Sequence, residues 1–146
     1  MTKENNFSTE KSIEINSTPE ILWEVLTNPE KIKLFMFGSE IVTSWKPGSP
    51  VTFTRVTHGQ QWQDKGKILK CMPGELLKFS YWSSQEGYED IPQNYSIITY
   101  TLIKQNPEAI KLTYRRENIP IRFELKNQEK HLPELLEKIK KLAEQF

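Results

Sequence analysis

Residues 11–16 alternate polar with apolar, which puts Ile13 and Ile15 on one face of a half-buried strand. Thr18-Pro19-Glu20 then reads as a helix start, with Thr18 as N-cap, proline at the first helical position and an acidic residue at the positive end of the dipole. Ser17 with Glu20 is a competing capping box. Leu22, Val25 and Leu26 share one helical face, and Thr27-Asn28-Pro29-Glu30 ends this helix while capping a second short one that carries Ile32 and Phe35. Beyond Ser39 the period changes. Strands are predicted over 40–45, 51–56, 61–71 and 76–82, separated by Pro47-Gly48-Ser49-Pro50, His58-Gly59 and Pro73-Gly74. Connections this short join antiparallel neighbours, because a parallel crossover needs about a dozen residues. Two further strands are predicted over 95–103 and 110–115. In them Ile98, Tyr100, Leu102, Ile110, Leu112 and Tyr114 continue the apolar face set by Leu77, Phe79 and Tyr81, while Thr99, Thr101, Lys111, Thr113 and Arg115 turn outward. Last, Leu132, Leu135, Leu136, Ile139, Leu142, Ala143 and Phe146 recur at three- and four-residue steps, which predicts an amphipathic helix over 133–146, about 20 Å long. Strands followed by one long covering helix make an α+β domain.

Composition narrows the picture. A chain of 146 residues suits a single domain, 1–146, with residues 1–8 expected to form a flexible N-terminal tail. Twenty Lys and Arg against 19 Asp and Glu leave no positive excess to attract nucleic acid. The single cysteine, Cys71, cannot form an internal disulfide. No Cys-x-x-Cys or His-x-x-x-His spacing offers a zinc site, so neither metal nor cofactor is expected. There is no apolar signal segment and no run approaching the roughly 18 apolar residues of a membrane span, so the expected setting is cytoplasmic, without integral membrane association.

Three stretches resemble the homologues of the activator of heat-shock-protein ATPase, a family of the START and birch-pollen-allergen superfamily. They are Ser17-Thr18-Pro19-Glu20-Ile21-Leu22-Trp23-Glu24-Val25-Leu26-Thr27-Asn28-Pro29-Glu30, Ser44-Trp45-Lys46-Pro47-Gly48-Ser49-Pro50-Val51, and Gly66-Lys67-Ile68-Leu69 with Pro73-Gly74-Glu75-Leu76-Leu77-Lys78-Phe79-Ser80-Tyr81-Trp82. Leu132-Pro133-Glu134-Leu135 also resembles the family's Trp-Pro opening of its terminal helix, with leucine for tryptophan. The paired tryptophans that often follow the second helix are replaced by Leu34-Phe35-Met36-Phe37. The resemblance implies the helix-grip fold, a curved antiparallel sheet of six to seven strands around a long C-terminal helix, with two short helices after the first strand. That fold is reused for hydrophobic-ligand binding, for polyketide cyclisation and for assisting a chaperone.

In such a fold the concave sheet face and terminal helix line a pocket, so Trp45, Phe53, Phe79, Tyr81, Tyr100, Tyr114, Leu135 and Ile139 are the candidate lining. The same side chains would equally serve as a packed core. Inward-facing Tyr81, Tyr100 and Tyr114 would offer hydroxyls to a ligand's polar end. Arg55 shares the strand parity of Val51 and Phe53, which either aims its guanidinium at a ligand carboxylate or lets it snorkel at the strand end. His58 and Asp64 flank the Gly59 turn, where an acid–base pair competes with the plainer reading of a solvated hairpin. His131 is expected just before the last helix, and the acidic segment 86–90 is a candidate lid or an ordinary surface loop. Cys71 reads as a small structural hydrophobe. No catalytic residue is assigned, because phosphate-loop, serine-elbow and zinc-protease motifs are all missing. The expected function is non-catalytic binding of a small hydrophobic or amphipathic molecule. A chaperone-associated interaction domain, and a cyclase or hydrolase using Tyr and Arg in the cavity, are the alternatives.

Overall fold

In the computed structural model, which describes residues 6–145, the hydroxyl oxygen of Thr18 accepts from the Ile21 amide at 3.3 Å and opens α1 (Pro19–Thr27). Ser17, the competing cap, instead donates its hydroxyl to the Ala143 carbonyl at 3.1 Å, tying this corner to the end of the chain. Asn28 ends α1 and caps α2 (Pro29–Phe35) by accepting from the Glu30 amide at 2.9 Å. Leu22, Val25, Leu26, Ile32 and Phe35 are the buried faces of the two helices.

Seven strands form one antiparallel sheet: β1 (Phe7–Ile15), β2 (Glu40–Val42), β3 (Pro50–Thr57), β4 (Gln60–Met72), β5 (Leu76–Ser83), β6 (Ser96–Asn106) and β7 (Ala109–Ile119). Their order is β1-β7-β6-β5-β4-β3-β2, so β2 to β7 form a meander and β1 closes onto β7. Two expectations are corrected. β1 starts at Phe7, opposite Ile119, so residues 7 and 8 are strand and not tail; residues 1–5 of that tail lie outside the described residues. β2 stops at Val42, because the Thr43 hydroxyl oxygen accepts from the Trp45 amide and Trp45 takes a positive φ of 65°, which no strand accommodates.

Register fixes what faces the concave side. Phe53 lies opposite Asp64, Asp64 opposite Ser83, Leu77 opposite Tyr100, Phe79 opposite Ile98, Ile98 opposite Arg116 and Tyr100 opposite Tyr114. At Gly66 the backbones of β4 and β5 all but touch: a Cβ there would sit 1.7 Å from the Ser80 carbonyl oxygen. The Lys67 amide donates there to the Ser80 hydroxyl at 2.9 Å, and a register shift follows between Ile68 and Lys70.

The last helix, α3 (Arg122–Glu144), is the largest departure from the sequence reading. It begins at Arg122, not Pro133, and its 23 residues span about 35 Å. Pro133 therefore sits inside the helix, where its missing N–H leaves the Glu129 carbonyl without its helical donor. Both residues are exposed, so water can take that place. Leu132, Leu136, Ile139 and Ala143 are buried beneath the second half. Its end is held by Lys140 Nζ donating to the Glu14 carbonyl at 2.8 Å and by the Asn16 amide donating to Glu144 Oε2 at 2.8 Å.

Candidate functional site: a cavity with an ionised wall

Between the concave sheet face and the first half of α3 lies a cavity of about 450 Å³, within the range of small-molecule sites. Its apolar part is made by Phe35, Phe79, Ile98, Tyr100 and Leu135. Its polar part is built on two arginines. Arg55 on β3 donates from Nη1 to Asp64 Oδ2 at 2.5 Å and from Nη2 to Gln85 Oε1 at 2.6 Å. The Tyr81 hydroxyl donates to the same Asp64 oxygen. Asp64 is wholly buried, and its other oxygen, Oδ1, has no hydrogen-bond partner among the described residues.

Arg116 on β7 donates from Nε to Ser96 Oγ at 2.8 Å, from Nη1 to Gln128 Oε1 at 2.9 Å and from Nη2 to Glu124 Oε1. Arg116 and Glu124 are only 4% and 3% exposed, so this is a buried ion pair linking sheet to helix. The Tyr88 hydroxyl donates to Glu124 Oε2 at 2.7 Å, and Tyr114 donates to Gln128 Oε1 at 3.2 Å. The Arg116 guanidinium also lies 5.1 Å from the centre of the Tyr81 ring, joining the two groups.

Burial opposes the charge on Arg116, but the Glu124 carboxylate together with Tyr114, Tyr81 and Tyr88 outweighs it and holds the guanidinium protonated more firmly than usual. Burial, then the Asp64 carboxylate, push the Tyr81 hydroxyl well above its ordinary range. Burial likewise raises Tyr114 to about 12. These tyrosines are therefore neutral hydrogen-bond donors near neutral pH, not nucleophiles.

Of the residues expected to line the cavity, Arg55, Phe79, Tyr81, Tyr100, Tyr114 and Leu135 do stand on its wall. Trp45 and Phe53 instead line a separate void of only about 20 Å³ beneath α2, shared with Phe79 and Tyr100. Ile139 is fully buried and lines neither. Arg55 does not await a ligand carboxylate, since Asp64 already pairs it. The Tyr81 and Tyr114 hydroxyls are likewise already engaged as donors.

The His58 and Asp64 pairing is overturned. His58 is exposed in the turn after β3, whereas Asp64 lies down the ladder opposite Phe53, inside the protein and not in a solvated loop. His131 lies within α3, on the cavity wall, with its ring edge-on to Phe37 at 6.5 Å. Met36 also reaches the wall, while Phe37 is 61% exposed. Burial raises the thiol pKa of Cys71, which fits its structural reading. The acidic loop is a pinned cover. Trp82 Nε1 donates to the Tyr88 and Glu89 carbonyls at 3.3 and 3.1 Å, Asn94 donates to Glu89 at 2.8 Å, and Tyr88 is buried.

Sequence reasoning missed Arg116, Glu124 and Gln128 on the cavity wall, and took Glu86, also on the wall, and Tyr88 only as part of a candidate lid. For Arg116 a signal existed: the alternation Ile110, Leu112, Tyr114 continues to 116. Glu124 and Gln128 stand two turns and one turn before Leu132, but their polarity hid that register. Among the described residues no group of acidic, histidine and cysteine side chains could hold a metal ion, and no helix is long and apolar enough to cross a membrane.

The fold recurs in known structures. The solution structure of ChR145 from Cytophaga hutchinsonii is 32% identical, covers 99% of this chain and 97% of that one, and superposes with a TM-score of 0.80. The Aha1 dimer from Colwellia psychrerythraea shares 16% identity over 94% of this chain and 96% of that one, with a TM-score of 0.70. PFC0360w, an HSP90 activator from Plasmodium falciparum, shares 20% identity over 77% of this chain and 74% of that one, with a TM-score of 0.62. At these identities the last two show the fold alone. Comparison with curated protein sequences found no match. The family model for activator of Hsp90 ATPase homolog 1-like protein matches residues 16–144, which takes in both short helices, every strand but β1 and all of α3, and the chain belongs to that family.

Proposed function

We propose that the protein binds a small amphipathic molecule in the cavity between its sheet and the first half of α3. The observation that carries this reading is the cavity itself. About 450 Å³ of space is bounded on one side by Phe79, Ile98, Tyr100 and Leu135 and on the other by buried ionised groups. A fold that only needed a core would close such a volume, since each unfilled cavity of methyl size or more destabilises the fold. Binding is favoured over catalysis because both arginines of the wall are locked in pairs with buried carboxylates, Arg55 with Asp64 and Arg116 with Glu124, and the tyrosines stay protonated.

Native mass spectrometry of gently purified protein, followed by denaturation and identification of released molecules, tests this directly. A retained amphiphile is expected, and replacing Ile98 by tryptophan to fill the cavity is expected to abolish its retention. An amphiphile retained equally by the filled variant would place binding elsewhere and defeat the proposal.

A second reading rests on the family match to activators of Hsp90 ATPase. On it, the chain engages an Hsp90-type chaperone, and adding it would raise that chaperone's ATPase rate. An unchanged rate, with no complex on size-exclusion chromatography, would discard it.

A further inference from the structure

The charges on the cavity wall do not cancel, and the imbalance specifies the ligand's polar end. Two cations stand there, Arg55 and Arg116, and each is held by a buried carboxylate. Every nitrogen of Arg116 already donates, and both terminal nitrogens of Arg55 do so. The charge of each guanidinium is already met by a buried carboxylate, so a ligand carboxylate or phosphate would have to compete with Asp64 or Glu124 for it.

The acceptors are in the opposite state. Asp64 Oδ1 is enclosed without a donor. Glu86, in the loop after β5, lines the same cavity, is half-buried, and has no ion-pair partner within 4.0 Å among the described residues. Burial, and then the Glu124 carboxylate, raise the Glu86 pKa and outweigh the opposing pull of Arg116 and Arg55, neither of which pairs with it directly. Counted together, Asp64, Glu124 and Glu86 outnumber the two arginines. Among the described residues His131 is the only other titratable side chain on the wall besides the tyrosines.

We infer that the cavity selects amphiphiles with a cationic amine at the polar end, paired to Glu86, and rejects those ending in a carboxylate or phosphate. The inference rests on the binding role proposed above and assigns its ligand class. The apolar body lies against Phe79, Ile98 and Leu135. The ammonium reaches Glu86 on the loop side, where the ring of Tyr81 offers a further electron-rich surface.

Three probes of equal chain length separate the terms: octylamine, octanol and octanoate, titrated calorimetrically into the full chain at pH 7. Octylamine is expected to bind about tenfold more tightly than octanoate, the scale of one ion pair. Replacing Glu86 by glutamine is expected to lower octylamine affinity about tenfold more than octanol affinity. Because that side chain makes no ion pair, its fold should be retained, which circular dichroism checks. Octanoate binding as tightly as octylamine, or equal losses for octylamine and octanol in E86Q, would overturn the inference while leaving the cavity's binding role intact. If none of the three binds, octanol included, the binding role itself fails and the inference with it.

Discussion

The two halves of α3 obey different rules although no loop separates them. After Pro133 the buried face is Leu136, Ile139 and Ala143, which need only be covered. Before it, apart from Leu132 beside the proline, the buried face is Glu124 and, one turn on, half-buried Gln128, whose acceptors meet Arg116, Tyr88 and Tyr114 from the sheet and the loop. The second half stabilises by removing apolar area from water, roughly 1.5–3 kcal/mol for a fully buried leucine. The first half has its desolvation cost offset only while its partners stay in place. One helix therefore joins a part that holds the fold to a part that shapes a cavity.

That contrast can be broken from either side. The largest effect is expected from Glu124→Leu, which leaves Arg116 buried without its carboxylate and should cost about 3–5 kcal/mol in urea unfolding. Adding Arg116→Met to it should bring stability back to within about 1 kcal/mol of the parent, because a hydrophobic pair of similar volume tolerates the site. A double variant as unstable as the single one would mean that the ion pair itself holds the two layers together. Leu136→Ala, in the other half, should cost about 2–5 kcal/mol, with no second substitution in the cavity wall able to restore it.

The smallest effect belongs to Glu144, at the far end of the helix. Its hydrogen bond from Lys140, then that from the Asn16 amide, lower its carboxyl pKa below the usual 4.5. A carboxyl lowered on folding adds stability that is present above 4.5 and lost as pH falls through the lowered value. Glu144→Gln should therefore cost only about 0.3–0.5 kcal/mol at pH 7. The difference from the parent should vanish on acidification, as paired thermal melts at pH 7 and pH 3 would show.

The same contrast explains what could be read from the chain beforehand. The strands, the short helices and the apolar half of α3 announce themselves by period, and Thr18, Asn28, Pro19 and Pro29 mark their boundaries by local chemistry. The start of α3 carried no such mark. Ile121 offers no side-chain cap, and the inward positions that follow are polar. Leu132-Pro133 gave a false start, because proline is favoured in the first turn of a helix and disfavoured in its interior, where Pro133 in fact lies. The candidate site was legible only in its apolar part. Phe79, Tyr100 and Leu135 follow from alternation and helical spacing, whereas Asp64 with Arg55, and Glu124 with Arg116, are pairs made by three-dimensional register. Asp64 looked like a hairpin residue because Gly59 is close in sequence, although the long β4 carries it deep into the sheet.

Pro133 has a mechanical consequence as well. The helical ladder lacks one rung there, and that rung falls between the half that covers the cavity and the half that seals the core. Local opening of the stretch from Arg122 is expected to stop short of Leu136, with its amides exchanging with solvent sooner than those after Pro133 in a hydrogen-exchange experiment. Access and endurance are thereby assigned to different stretches of one continuous element.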